Sequence, residues 1–127
     1  MTLPLILIAP LLAALQAAPP ADRAAPTTLE DLSLEQAASL RCAVAFAYVS
    51  SWQDDDDPRG ADFPAMEEEG GREFFVRALA QLMDDRGLDR RGVFDLVALQ
   101  TEAFKLDEAQ IGQIMPACLM MKRSAGL

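Results

Sequence analysis

The sequence predicts an all-α fold, a small four-helix domain with one disulfide linking its first helix to its fourth, and three observations carry that prediction. Apolar residues recur at three- and four-residue spacing through the long segments beyond residue 33, and no alternating run is long enough for a strand. The stretch 34–53, LEQAASLRCAVAFAYVSSWQ, is free of charge over 42–53, so its helix is apolar on most faces and belongs in the middle of the fold. Only two cysteines are present, Cys42 in that central stretch and Cys118 near the far end of the chain.

The N-terminal stretch, MTLPLILIAPLLAALQAAPPADRAAPTT, carries no charged side chain until Asp22, has an apolar run over 3–15, and then turns to small residues around Ala17 and Ala18. That outline is a secretory signal peptide, assigned to 1–17. The apolar run is shorter than the roughly 20 residues a bilayer span requires and is broken by Pro4 and Pro10, so no membrane span is expected after processing. Residues 18–27, rich in Ala and Pro, read as a flexible leader, and 28–127 as a single helical domain. Export places that domain in the periplasm or outside the cell.

Composition narrows function more by exclusion than by motif. Twenty acidic residues against 11 basic give a formal net charge of −9, a surface that repels nucleic acid and anionic lipid and suits neutral, basic or cationic partners. There is no histidine, which removes histidine bases, histidine-dependent triads and histidine metal sites together.

Ser33 with Gln36 three residues on forms a capping-box signature, preceded by a short turn at Leu29 and Leu32; helix 1 follows over 34–53. Four consecutive aspartates, 54–57, and Pro58 end it, because anions are disfavoured at a helix C-terminus. Residues 54–66, DDDDPRGADFPAM, read as a loop pinned by Phe63. Helix 2 is expected over 72–86 with Phe75, Leu79, Leu82 and Met83 inward and Gly87 just past its end. Asp89 caps helix 3, 90–104, with Val93, Phe94, Leu96 and Val97 inward. Helix 4 is expected to start at Asp107 with Gln110 completing a capping box and to show Ile111, Ile114, Met115, Cys118 and Leu119 on one stripe. Pro116 should kink or restart it.

Two cysteines in one small exported domain pair in an oxidising compartment, so a Cys42–Cys118 disulfide is expected; the alternative is two buried thiols packed as small hydrophobes. The acidic run does not fit a calcium loop: counted from Asp55, Gly60 falls at the sixth place, but Arg59 and Met66 spoil the fifth and twelfth. Met115, Met120 and Met121 lie near Cys118, yet methionines at helical spacing are core filler, so no metal and no cofactor is expected. Tyr48 and Trp52 end helix 1 as rim residues of the core or as part of a binding surface.

The segments LRCA at 40–43, EFF at 73–75 and Ala117 with Cys118 resemble small uncharacterised exported two-cysteine helical proteins of alphaproteobacteria of the sphingomonad type. The resemblance covers most of the chain beyond the leader and implies export and a two-cysteine helical core, with no activity attached. In size, export, helix content and a single disulfide the chain is also distantly similar to periplasmic acid-stress chaperones of the HdeA type, and no functional residues carry over from them. The expected function is therefore non-catalytic: an exported, stress-related or chaperone-like protein that binds a protein partner through an apolar surface. The alternative is a carrier of a small apolar ligand, with a cavity between helices 1, 2 and 4 lined by Phe46, Phe75 and Met115.

Overall fold

The computed structural model describes residues 25–127, so the signal peptide assigned to 1–17 and most of the leader assigned to 18–27 lie outside the described residues. At their edge Pro26 is buried and the Thr27 N–H donates to the Asp31 carboxylate at 3.0 Å. Among the described residues the fold is all helix: a 3-10 turn at Leu29–Asp31, then α1 (Leu34–Asp54), a second 3-10 turn at Pro58–Asp62, α2 (Met66–Glu69), α3 (Gly71–Arg86), α4 (Arg90–Leu106) and α5 (Ala109–Ser124). The single-turn α2 makes the count five rather than four. The disulfide joins Cys42 of α1 to Cys118 of α5 across 76 positions. Closing a loop of that length contributes about 4 kcal/mol in the chain-entropy account.

Helix α1 is the centre, packed against α2, α3, α4 and α5. Six of its residues, Cys42, Ala43, Val44, Ala45, Phe46 and Val49, are buried on successive faces, which only a helix surrounded by others permits. Its start is the expected capping box: the Gln36 N–H donates to Ser33 Oγ at 3.1 Å, and the Ser33 N–H to Gln36 Oε1 at 3.1 Å. Arg86 at the end of α3 ties down the same corner, donating to the Asp31 carbonyl at 2.9 Å and to Gln36 Oε1 at 3.1 Å.

The helix ends where the aspartates begin. Asp56 takes the left-handed conformation, φ 53°, and the Asp57 N–H closes back on the Trp52 carbonyl at 2.8 Å, so an aspartate stands where glycine is the usual residue. Elsewhere the expected punctuation holds. Gly87 is left-handed after α3 at φ 62°, and Asp89 Oδ1 accepts from the Gly92 N–H at 2.7 Å.

Four expectations need correction. On α3 the innermost aromatic is Phe74, with its ring edge-on to Phe46 at 5.3 Å, while Phe75 is only half-buried. The cause is Gly71: a Cβ there would sit 3.3 Å from the Met66 carbonyl oxygen and 3.5 Å from Phe46 Cβ, so α3 meets α1 closely at that point and turns the 71–74 line inward. On α4 the buried stripe is Val93, Leu96, Gln100 and Phe104; Phe94 lies one position round the helix and is 50% exposed. Helix α5 starts at Ala109 with no side-chain cap, its first turn being held by Asp107 and Glu108 carbonyls, and it passes through Pro116 to Ser124 without restarting there. Met66, read as the end of the loop, instead opens α2 (Met66–Glu69) and is buried.

Candidate functional site

The most elaborately built part of the surface is the loop between α1 and α2. Gln53, in the last turn of α1, holds it with both the nitrogen and the oxygen of its amide. Nε2 donates to the Gly60 and Pro64 carbonyls at 3.0 and 2.9 Å, with the Phe63 carbonyl at 3.4 Å, and Oε1 accepts from the Met66 N–H at 2.9 Å. Gly60 lies so close over α1 that a Cβ would come within 2.9 Å of the Gln53 backbone nitrogen and 3.1 Å of the Trp52 carbonyl carbon. A loop whose ends are clasped in this way is a compact surface unit, the kind of loop that often carries function.

Arg59 closes its outer edge. Its guanidinium stacks 4.8 Å from the Trp52 ring centroid, pairs with Asp57 at 2.6 Å, and reaches Glu108 beside α5 at 2.7 Å. The guanidinium and the Arg59 N–H together hold the Asp57 carboxyl down to about 2. Trp52 is thereby a core residue, with Phe63 tilted against it at 6.2 Å and Tyr48 edge-on at 5.8 Å. Tyr48 Oη donates to the Thr101 carbonyl of α4 at 3.3 Å, and burial raises its phenol above the ordinary tyrosine value. Phe63 pins the loop as its sequence position suggested.

Two grooves flank this loop, and Phe63 borders both. On one side a depression of about 500 Å³ is bounded by Asp54, Asp56, Asp57, Glu67 and Glu68, with no basic residue on its walls. Asp57 is committed to Arg59; the other four acids are exposed and make no ion pair among the described residues. On the other side a depression of about 470 Å³ runs along the outer face of α5, floored by Phe63, Pro64, Met115, Pro116, Leu119 and Met120, with Asp62 and Arg123 at its rims. Met120 is 63% exposed.

No protein-family model matches this chain, and neither a curated protein nor a solved structure does. The site must therefore be read from its own chemistry.

The residues proposed from sequence divide between two places. Phe46 and Phe75 border a shallow depression of about 400 Å³ between α1 and α3, whereas Met115 belongs to the α5 groove. Phe46 and Met115 are themselves almost wholly buried. Cys42 and Cys118 are paired and buried, with no free cysteine. No group of three or more acidic or cysteine side chains is arranged to hold a metal among the described residues.

Three features of the site escaped sequence reasoning. Gln53 is an ordinary polar residue at a helix end, and nothing in a linear pattern announces a clasp. Met66 is hidden at the end of an aperiodic loop. Lys122, in a last turn where a basic residue suits the negative helix end, is buried, with Nζ donating to the Leu127 main-chain oxygen at 3.2 Å and lying 3.7 Å from Glu69 of α2. Its place one turn beyond Cys118 on the buried stripe of α5 was the available signal.

Proposed function

We propose that this chain is a non-catalytic exported protein, chaperone-like in action, that binds protein partners through an apolar surface in an oxidising compartment. The disulfide fits that compartment, and no helix among the described residues is long and apolar enough to cross a membrane. The observation that carries the reading is the α5 groove, where Phe63, Pro64, Leu119 and Met120 present apolar surface on a covalently tied scaffold. Methionine and proline suit such a surface, since a thioether adapts its shape to varied partners.

Acid extends the surface. Protonation of the acidic side chains as a whole leaves the 11 basic residues uncompensated, and self-repulsion then loosens helix packing and uncovers more apolar area. The test is hydrophobic-dye binding together with protection of an aggregating client protein, followed from neutral pH to about pH 3, below the usual carboxylate range. Both signals rise under this reading. Flat profiles for both reject the acid-activated chaperone. The carrier alternative draws less support, because Phe46, Phe75 and Met115 do not share one cavity.

A further inference from the structure

The two grooves beside Phe63 differ in chemistry and are joined by a shared wall, and together they define a partner. One is apolar along its floor on α5, with a single acid and a single base, Asp62 and Arg123, at its rims; the other offers Asp54, Asp56, Glu67 and Glu68, exposed and unpaired among the described residues, and no base. An apolar groove alone would accept many occupants. The carboxylates beside it restrict the choice, because a partner carrying negative charge would meet like-charge repulsion and one carrying Lys or Arg would be drawn in. The loop that separates the two is held by the Gln53 amide and by Arg59, so the spacing between them is fixed before binding rather than formed by it.

We infer that this surface docks a basic amphipathic protein segment, its apolar side chains lying in the α5 groove against Phe63, Leu119 and Met120 and its Lys or Arg side chains over the carboxylates of the neighbouring groove. The inference rests on the apolar-surface reading above and deepens it by naming the partner's chemistry. It applies at neutral pH, where the carboxylates are charged, and so identifies a docking mode separate from acid-exposed binding.

Trp52 is the only tryptophan and packs on Phe63, which borders both grooves, so its fluorescence responds to occupancy through that ring. The full oxidised chain would be titrated at neutral pH with three synthetic helical peptides: one with a Leu face and a Lys face, one with Glu replacing every Lys, and one with Ser replacing every Leu. The Leu/Lys peptide should bind, the other two at least about tenfold more weakly, and added salt should reduce its affinity. The Glu67→Lys/Glu68→Lys double variant, changed only at exposed positions, should weaken the Leu/Lys peptide about tenfold and flatten its salt dependence. Met120→Ser should weaken it severalfold while its far-UV circular dichroism matches the parent.

Equal binding of the Leu/Lys and Leu/Glu peptides would overturn the basic partner while leaving an apolar binding surface in place. Binding by the Ser/Lys peptide as tight as by Leu/Lys would overturn the role of the α5 groove. If no peptide binds yet dye binding still rises in acid, the docking inference falls and the chaperone reading survives it.

Discussion

Gln53 shows how one side chain can organise a surface that no periodic pattern describes. Its Nε2 donates to the Gly60 and Pro64 carbonyls and its Oε1 accepts from the Met66 N–H. Gln53→Leu keeps the volume and removes all of these bonds, leaving a part-buried amide and two carbonyls to find water or go unpaired. The expected cost is about 1–3 kcal/mol, read as a lowered urea midpoint, with faster tryptic cleavage after Arg59 as the loop loosens. An unchanged midpoint and cleavage rate would show that Gly60 packing and the Arg59 pairs hold the loop without it. Residues like this are illegible in advance for a physical reason. Periodicity reports which face of a helix is buried, whereas Gln53 acts across 7, 11 and 13 positions on backbone atoms that any sequence would supply. Ser33 with Gln36 and Asp89 were legible because a cap acts within one turn.

At the scale of elements, helix positions and the inter-helix disulfide were legible, and helix faces only in part. The stripe read on α5 holds at Ile111, Met115 and Cys118, and Lys122 extends it. On α3 and α4 the error was one position of rotation, at Phe75 for Phe74 and at Phe94, because an apolar residue on each side of the true stripe makes two rotations look alike until a close approach such as Gly71 decides between them. Pro116 is the element-scale puzzle. It lacks the N–H that would bond the Gly112 carbonyl, yet α5 runs through it, and both residues are exposed along the apolar groove. Pro116→Ala restores one ladder bond and removes the ring's clash with the preceding turn. The expected result is a gain of about 1–3 kcal/mol, seen as a higher urea midpoint, with the disulfide intact by thiol assay. A gain in stability accompanied by weaker Leu/Lys peptide binding would mark Pro116 as a residue kept for the groove rather than for the fold. No gain would mean that the helix has already adjusted around the proline.

Across the whole molecule the balance between fold and charge turns on pH, and its sign follows from two aspartates. Asp57, held by the Arg59 side chain and N–H, has its carboxyl lowered from 3.8 to about 2, and Asp31 is lowered by the Thr27 and Thr28 N–H groups. A carboxyl whose folded pKa is depressed contributes stability that is fully present above its unfolded value and is lost as pH falls through the folded one. The Asp57–Arg59 pair within the loop therefore survives into acid that has already neutralised carboxylates with higher pKa values. Net charge meanwhile moves from −9 toward the +11 of the basic residues, and repulsion grows while the clasp still holds. Urea midpoints should thus fall as pH drops below about 5 and fall further between about 4 and 2, where Asp57 takes up its proton. In Asp57→Asn the midpoint at neutral pH should be lower and the decline between about 4 and 2 shallower, since the Asp57 carboxyl that titrates there is gone. Added salt should lessen the repulsive part of the decline in both proteins, because it screens exposed charges. Parallel profiles for the parent and Asp57→Asn would remove the Asp57–Arg59 pair from any account of acid opening, and would leave general charge repulsion as what loosens the fold.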